Sequence, residues 1–248
     1  MTGTEVTERA ALAGWNVASM THADFDITDP AAVAVAFREA HPDVVINCAG
    51  YTAVDRAESE PDVAEAVNSD GARNVARAAA AVEAPIIHIS TDYVFAGDGR
   101  EPYLPDAPTG PAGVYGKTKL NGEIAVRDET PYHAIIRTSW VFSHRGSNFV
   151  KTMLRLAAER DELRVVNDQV GRPTSSADLA EALLATAEGL LGNEALSGTY
   201  HFANACETSW FGFSQAIFEE ASAKHGARTP RLVPISTREF PTPARRPA

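Results

Sequence analysis

The sequence predicts an α/β fold, a doubly wound parallel sheet covered by helices on both faces, with a smaller C-terminal lobe. Short apolar runs alternate with longer amphipathic segments along most of the 248 residues, as in a parallel sheet with crossover helices. Runs such as "DVVINCAG" (43–50) are β-branched and lack strict polar alternation, as expected for strands buried on both faces. From about Asn167 the pattern changes to a turn-rich loop and further elements. We therefore expect a first domain at 1–166 and a smaller lobe at 167–248, interleaved with it.

Local patterns predict each element in turn. The short apolar runs predict strands at 15–19, 43–50, 85–91, 133–140 and 163–166. The amphipathic segments between them predict helices at 4–14, 29–42, 62–82, 113–128 and 147–160. Asp29 is the expected N-cap of the second helix, with Pro30 at its first position, and Ser147 is the expected cap of the last. The C-terminal lobe is expected to hold a loop and helix at 167–191, a strand at 198–204 and a helix at 210–226.

The composition is that of an ordinary globular protein, with 44% hydrophobic and 22% charged residues. A formal net charge of −11 and a pI near 5.1 argue against nucleic-acid binding, because such a surface repels phosphate backbones. Cys48 and Cys206 belong to no metal-ligand spacing, which indicates no metal site and a reducing, cytoplasmic location. No apolar run approaches the roughly 18–20 residues of a membrane span, so we expect no membrane partner.

Three segments that follow predicted strands carry hydroxyl or aromatic side chains. They are "CAGYT" (48–52), "STDYVF" (90–95) and "TSWVF" (138–142). Open parallel sheets bind ligands outside the carboxyl ends of their strands, and a purely structural loop would more often hold glycine, proline, asparagine or aspartate. We therefore expect these segments to form the walls of one site.

Tyr115 and Lys119 lie four residues apart in "VYGKTKLNGE", so their side chains leave one face of a predicted helix. A free tyrosine has a pKa of about 10, and a neighbouring ammonium would lower that pKa toward the range that acid/base chemistry needs. Thr91 or Ser90, at the end of the preceding strand, could hydrogen-bond the same reacting oxygen. This set suits carbonyl reduction, with hydride from a cofactor to carbon and a proton from Tyr115 to oxygen. The alternative is an ordinary surface pair, which the surrounding strand–helix pattern disfavours.

Longer stretches match a known family from about Asp24 to the C-terminus. They include "PDVVINCAGYTAVDRAESEP", "IIHISTDYVFAG", "PTGPAGVYGKTKLNGE", "LRVVNDQVGRPTSSADLA" and "FPTPARRPA". The chain resembles the extended short-chain dehydrogenase/reductases, which have a Rossmann-type fold, and within them the dTDP-4-dehydrorhamnose reductase family. "CAGYTAVDRAE", "ISTDYVF" and "DQVGRPT" are far more specific matches than the Tyr–Lys spacing.

The resemblance implies reduction of the C4 ketone of dTDP-4-dehydro-L-rhamnose by NADPH or NADH. It implies a dTDP-sugar as the binding partner and is compatible with a homodimer. It implies that Tyr115 donates the proton, that Lys119 binds the nicotinamide ribose and lowers the Tyr115 pKa, and that Thr91 polarises the ketone. It also implies an adenine border at Asp26 and Ile27, nicotinamide-side contacts at Ala49, Gly50, Tyr51 and Thr52, and sugar-nucleotide contacts at Thr91, Asp92 and Trp140.

Some residues have structural alternatives. Trp140 is also compatible with a half-buried core aromatic, and Asp92 with a cap of the next turn. His88 and His133 lie within strand runs and are expected to be buried and hydrogen-bonded rather than catalytic. Cys48 is expected to be a small core residue.

The start of the chain departs from the family pattern. Family members open with a strand and a G-x-x-G-x-x-G turn that cradles the pyrophosphate, whereas "MTGTEVTERAALAG" goes almost directly into a helix. Either the sequence holds only the ordered residues of a longer chain, or the chain is truncated and binds no cofactor. We expect the first, because losing a central strand would expose two long apolar sheet edges. No acid follows "WNVAS" before Asp24, which favours NADPH over NADH.

Two other functions are compatible with the sequence. One is a sugar-nucleotide epimerase or dehydratase of the same superfamily, which would turn over without net consumption of the cofactor. The other is a catalytically silent regulatory subunit on the same fold. Measured activity discriminates among the three.

Overall fold

A computed structural model, which describes residues 1–99 and 101–246, contains a central sheet of four parallel strands. The strands in chain order are β1 (Val45–Asn47), β2 (Ile86–Thr91), β3 (His133–Thr138), β4 (Val141–Phe142), β5 (Glu162–Val166), β6 (Val170–Gly171), β7 (Thr174–Ser175), β8 (Gly198–His201), β9 (Thr208–Ser209) and β10 (Arg231–Ile235). The central sheet has the order β1–β2–β3–β8, and all three of its pairings are parallel.

The helices connect and cover these strands. They are α1 (Thr2–Leu12), α2 (Pro30–Ala40), α3 (Val54–Ala57), α4 (Pro61–Glu65), α5 (Gly71–Ala81), α6 (Val114–Glu129), α7 (Phe149–Glu159), α8 (Ser176–Gly192) and α9 (Trp210–His225). A π-helical turn, Ala66–Asp70, joins α4 to α5. None of the helices in the described ranges is both long and apolar enough to cross a membrane.

Helices cover both faces of the central sheet, which confirms the predicted α/β fold. On one face, α2, α5 and α6 pack against Ile86 and Ile135. On the other face, α1 and α8 pack against Ile87, Ala134 and Ile136. Because successive side chains of a strand point to opposite faces, both sets of strand residues must be apolar. This explains why the strand runs of the sequence show no polar alternation.

A separate apolar cluster lies among α7, α9, β5 and β10. It includes Met153, Leu163 and Phe218, and β5 pairs with β10 in parallel. The intervening elements α8 and β8 pack on or pair with the central sheet instead. The chain therefore passes between the central sheet and this second cluster more than once. Residues 247 and 248, at the end of the predicted lobe and of "FPTPARRPA", lie outside the described residues.

The predicted elements differ from the observed ones at a few places. Asp29 caps α2 as predicted, since its carboxylate accepts the Ala31 and Ala32 amides. The cap of α7 is Asn148 rather than Ser147, because the Asn148 side chain accepts the Lys151 amide.

The predicted strand at 15–19 is wrong. Within the described residues this segment pairs with no strand, although Trp15 packs on the cluster that covers the central sheet, and the Trp15 amide donates to the Ala10 carbonyl, 3.0 Å away, in α1. Without strand pairing, the ladder hydrogen bonds that define a strand are absent.

Candidate active site

The carboxyl ends of β1, β2 and β3 meet at one edge of the central sheet. Thr91, the last residue of β2, lies beside Thr138, the last residue of β3. Residues 48–52 follow β1, which is the parallel neighbour of β2. The three segments predicted to form the walls of a site therefore leave the sheet on the same side.

Helix α6 approaches this edge closely because it carries two glycines. A Cβ at Gly116 would lie 2.2 Å from the Tyr93 carbonyl oxygen, and a Cβ at Gly122 would lie 2.1 Å from the Asn68 carbonyl oxygen. No side chain fits such gaps. The helix, which carries both Tyr115 and Lys119, is therefore held against Tyr93, which follows β2, and against Asn68 of the π-helical turn.

Lys119 is only 5% exposed, and its side chain reaches β2. Its Nζ atom donates to the Ile89 carbonyl oxygen at 2.7 Å and lies 3.3 Å from Nε2 of His88. Burial lowers the pKa of Lys119 to about 8, while the Glu123 carboxylate one turn further along α6 acts in the opposite direction. The lysine is thus anchored on β2, two residues before the strand ends, with its pKa lowered toward the neutral range.

Tyr115 lies one turn before Lys119, and the Thr91 side chain acts to lower the pKa of its phenol. Its ring contacts Tyr93 edge-on, with the centroids 5.4 Å apart. The net shift of the phenol pKa is upward because burial dominates, and the charges of Asp92 and Tyr93 add to it. In this structure the lysine nitrogen bonds β2, and the lowering of the Tyr115 pKa by Lys119 that the resemblance implies stays a prediction.

Asp92 follows Thr91 at the start of a short 3₁₀ turn. The Thr91 hydroxyl donates to the Asp92 carboxylate at 3.0 Å. Burial raises the pKa of Asp92 to about 6, although the Thr91 hydrogen bond acts to lower it. The turn is capped by Thr91, whose Oγ1 accepts the Tyr93 amide at 3.2 Å. Asp92 is therefore not the cap of this turn, which was the structural alternative for this residue.

Asn68 is buried beside the predicted site residues, although no motif identified it. Its side chain accepts the Tyr51 amide at 2.8 Å and donates to the Tyr51 carbonyl at 3.1 Å and to the Thr118 hydroxyl at 3.0 Å. These contacts tie the segment after β1 to α6. The available signal was "NSDG" (68–71), a run of poor helix formers inside a predicted helix, and most of it lies in the π-helical turn.

Glu123 was also missed by sequence reasoning. It is fully buried and accepts hydrogen bonds from Ser90 at 2.6 Å, from Arg127 at 2.8 Å and, twice, from Arg137. The carboxylate therefore joins the ends of β2 and β3 to α6. Its position four residues after Lys119, on the same helix face, was the only signal in the sequence.

The residues predicted to be structural lie inside the fold. His88 is 1% exposed and hydrogen-bonds Asn47, which agrees with its prediction. His133 is partly buried, with Nδ1 2.8 Å from the Thr130 carbonyl oxygen. Cys48 packs against the cluster under α1 and α8, and burial raises the pKa of its thiol to about 12.

The segment predicted to face the cofactor forms the rim after β1, where Ala49, Gly50 and Thr52 are exposed. A Cβ at Gly50 would lie 3.3 Å from Oδ1 of Asn68 and 3.9 Å from Nζ of Lys119. Bare backbone at Gly50 therefore leaves space beside Lys119 that a side chain would fill. The Tyr51 hydroxyl donates to Glu60 at 2.6 Å.

Asp26 and Ile27 lie in the loop before α2. The Asp26 carboxylate is exposed and accepts the Thr28 amide at 2.9 Å. Ile27 lies over Gly71, where an added Cβ would be 2.6 Å from its Cδ1 atom. The described contacts do not join these two residues to Lys119 or Tyr115.

Trp140 follows β3 and lies where the sheet edge meets the second cluster. Its ring stacks on Trp210 of α9, with centroids 3.5 Å apart and the planes inclined by 9°. Its backbone has φ 47°, a left-handed conformation that is rare for a bulky residue. A Cβ at Gly171 would lie 2.6 Å from the Trp140 ring, so the indole also packs closely against the backbone of Gly171. Such strained, well-packed positions occur preferentially at functional sites.

Comparisons with known proteins point to one family. Residues 1–248 match the family model described as the RmlD substrate binding domain. A dTDP-4-dehydrorhamnose reductase of Sinorhizobium fredii is 48% identical, over 91% of this chain and 76% of its own length. A protein of the same name from Mycobacterium tuberculosis is also 48% identical, over 98% of this chain and 79% of its own length.

Solved structures agree with these relatives. A dTDP-4-dehydrorhamnose reductase from Clostridium acetobutylicum has a TM-score of 0.93 and 41% identity, covering 99% of this chain and 84% of its own. One from Bacillus anthracis, solved in complex with NADP, has a TM-score of 0.92 and 39% identity over the same shares. A UDP-glucose 4-epimerase from Brucella ovis has a TM-score of 0.79 over 98% of this chain and 85% of its own but only 18% identity, so it shares the fold alone.

Proposed function

Because the chain belongs to the RmlD substrate binding domain family, we propose that Tyr115, Lys119 and Thr91 carry the reaction for which its relatives are named. The protein is an NAD(P)H-dependent oxidoreductase that reduces the C4 ketone of dTDP-4-dehydro-L-rhamnose to give dTDP-L-rhamnose. One observation carries the residue roles: the Thr91 side chain, which acts on the pKa of the Tyr115 phenol, ends the strand β2 on which Lys119 is anchored.

Tyr115 is the proton donor in this proposal. Burial raises the pKa of its phenol, so the phenol keeps its proton throughout the neutral range. Reduction of a ketone needs this protonated form, because the oxygen takes up a proton as the carbon gains hydride. The direction of the pKa shift differs from the sequence prediction, but it suits a donor better than a lowered pKa would.

Thr91 and Lys119 assist the same proton transfer. The Thr91 hydroxyl is the second hydrogen-bond donor to the ketone oxygen, and it becomes available when its bond to Asp92 is released. Lys119 is charged below its pKa of about 8, and an ammonium one turn from Tyr115 favours the phenolate that remains after proton donation. Its remaining N–H groups would hold the nicotinamide ribose hydroxyls.

The rim after β1 is the proposed site of the nicotinamide dinucleotide. The space beside Lys119 exists because Gly50 has no side chain, and a close approach of ligand to backbone needs such a position. Ala49, Gly50, Tyr51 and Thr52 would line the nicotinamide side, and Asp26 and Ile27 would border the adenine. The cofactor supplies the hydride, and the proton is supplied by this chain.

The sugar nucleotide is proposed to bind between the sheet edge and the second cluster, in contact with Asp92 and Trp140. The stack of Trp140 on Trp210 supports this, because it presents aromatic surface at that junction. We likewise propose a dinucleotide-binding domain at 1–166 and a substrate lobe at 167–248, from which α8 and β8 return to the central sheet.

Oxidation of NADPH by the protein, offered dTDP-4-dehydro-L-rhamnose, tests the reaction. We expect one dTDP-L-rhamnose to form for each NADPH oxidised. Turnover of the sugar without net oxidation would instead indicate an epimerase, and the absence of turnover would indicate a regulatory subunit. We also propose a homodimer and a cytoplasmic location, which light scattering of the purified protein and cell fractionation test.

A further inference from the structure

His88 is a buried titratable group in contact with the candidate site, and the proposed reaction gives it no role. Its Nε2 atom lies 3.3 Å from Nζ of Lys119, and its Nδ1 atom lies 3.2 Å from Nδ2 of Asn47. Asn47 in turn accepts the Ala49 amide on its Oδ1 atom at 3.1 Å. These four residues form one continuous chain of polar contacts from the rim after β1 to Lys119.

The direction of the hydrogen bonds in this chain is fixed at its start. The Ala49 amide can only donate, so Oδ1 of Asn47 accepts and Nδ2 of Asn47 must donate to Nδ1 of His88. Burial, with the Lys119 charge added to it, holds the pKa of His88 well below its ordinary value, so the imidazole is neutral. A neutral ring whose Nδ1 accepts must carry its proton on Nε2.

That proton points at Lys119. An ammonium has three donors and no acceptor, so a charged Lys119 would face the Nε2–H with a second donor. A neutral amine has one lone pair and can accept this hydrogen bond while it still donates to the Ile89 carbonyl oxygen. The hydrogen bonds that run from the Ala49 amide through Asn47 and His88 to Lys119 are therefore all satisfied only when Lys119 is neutral.

We infer that His88 is a positioning residue that sets the protonation state of Lys119, because its Nε2–H donates to the lysine nitrogen and favours the amine over the ammonium. The inference rests on the proposed role of Lys119. If the lysine acts as proposed, His88 determines the pH above which its charge is lost.

No other described group around Lys119 favours its neutral amine by a hydrogen bond as His88 does. Glu123, on the same helix, favours the ammonium and therefore acts against His88. Tyr115, one turn earlier on α6, keeps its proton and is neutral. Asn68, beside the lysine at Gly50, carries no charge. The fall in the Lys119 pKa to about 8 agrees in direction with the hydrogen-bond argument.

The wild-type protein gives the first test. Long-range ¹H–¹⁵N correlation spectra report which ring nitrogen of each of the seven histidines carries the proton. The His88 signals are assigned by their loss in His88→Gln. We expect the Nε2–H tautomer across the neutral range. An Nδ1–H tautomer, or a ring that becomes doubly protonated near neutral pH, would overturn the inference.

Asn47→Asp gives the second test, because it reverses the direction of the hydrogen bond between residue 47 and His88 while nearly keeping the shape of the side chain. The new carboxylate still accepts the Ala49 amide, and it would accept from Nδ1–H of His88, which leaves Nε2 free to accept from the Lys119 ammonium. We expect the His88 tautomer to switch and the Lys119 pKa to rise by about one pH unit or more, a tenfold change in the equilibrium. Selective ¹³C labelling resolves this titration, since the chain has only four lysines, at 117, 119, 151 and 224.

Asn193→Asp is the matched control. Asn193 is exposed and its side chain accepts the Ala195 amide, as an aspartate also would, so neither readout should move. A rise in the Lys119 pKa without a change of His88 tautomer would overturn the inference, because charge alone would then explain it. Should Asn47→Asp fail to fold, the wild-type tautomer decides. These spectra need no turnover, so a protein without reductase activity would refute the proposed function and leave this test intact.

Discussion

Ser90 donates a hydrogen bond of 2.6 Å to Glu123, a carboxylate that is fully buried between α6 and the central sheet. Arg137 of β3 donates two more, at 2.8 Å and 2.7 Å. Burial acts to raise the pKa of Glu123, but the bonds from Arg137, Ser90 and Arg127 outweigh it and leave the pKa lowered. The charged carboxylate thus holds the end of β2 against the helix that carries Tyr115.

Glu123→Gln is expected to lower the free energy of unfolding by about 3–5 kcal/mol, because it leaves the buried Arg137 guanidinium without a counter-charge. Urea denaturation measures the loss. Glu159→Gln is the control, since Glu159 pairs with Arg155 on an exposed helix face and should cost only about 0.3–0.5 kcal/mol. Equal losses in the two variants would mean that the buried pair does not hold the site.

The same pair gives stability a defined pH dependence. A carboxylate whose folded pKa is lowered contributes stability above its unfolded pKa, and that contribution is lost as the pH falls through the folded pKa. Acid unfolding of the wild type should therefore be steeper than that of Glu123→Gln. Parallel unfolding curves would contradict this.

Tyr115→Phe is expected to reduce kcat by about 10²–10⁴-fold, because it removes the proton donor and leaves the ring in place. NADPH oxidation measures kcat, and circular dichroism checks the fold. Tyr132→Phe, at a tyrosine that is 38% exposed and lies in the loop between α6 and β3, should keep full activity. Retention of turnover in Tyr115→Phe would assign proton donation to another group.

The pH dependence of kcat/KM should report Lys119. Its charged form is present below its pKa of about 8, so kcat/KM is expected to fall as the pH rises through that value. Lys119→Met should be impaired throughout the pH range, whereas Lys117→Met, at an exposed position two residues earlier, should keep the wild-type profile. An unchanged rate well above pH 8 would show that the lysine charge is not needed.

Asp92 should add a second ionisation to the same profile. Its pKa is raised to about 6 by burial, and its ionised form holds the Thr91 proton. We expect kcat/KM to rise as the pH falls through about 6, because a protonated Asp92 can release the Thr91 hydroxyl to the ketone. Asp92→Asn should abolish this change and keep the one near 8. A profile of Asp92→Asn identical to that of the wild type would refute the role of Asp92.

Much of the geometry of the candidate site could be predicted from the sequence because it depends on spacing along single elements. Tyr115 and Lys119 share a helix face at any position of that helix in the fold. Thr91 ends an apolar run, and parallel strands place such ends together. Asp29 followed by Pro30 fixes a helix start from local chemistry alone.

What could not be predicted depends on contacts between distant segments. The direction of the Tyr115 pKa shift is set by burial, which no spacing reveals. The buried pair of Glu123 and Arg137 joins α6 to β3, and the contact of His88 with Lys119 joins β2 to α6. Each needs the packing of the sheet to be known before the pairing can be recognised.

Gly171→Ala tests whether the stacked tryptophan contributes to sugar binding. The added Cβ would meet the Trp140 ring at 2.6–2.9 Å, and overpacking of this kind costs about 1–3 kcal/mol. We expect the indole to shift and the KM for the dTDP-sugar to rise about tenfold or more, with a smaller change in kcat, because a binding contact is lost rather than a proton donor.

Gly192→Ala is the control for Gly171→Ala, since no atom lies within 4 Å of the position of its Cβ. Tryptophan fluorescence should change only in the Gly171 variant, because only there is the Trp140–Trp210 stack displaced. A Gly171→Ala protein with displaced fluorescence but an unaltered KM would remove Trp140 from the binding site and return it to the core, where its left-handed backbone would be a packing feature alone.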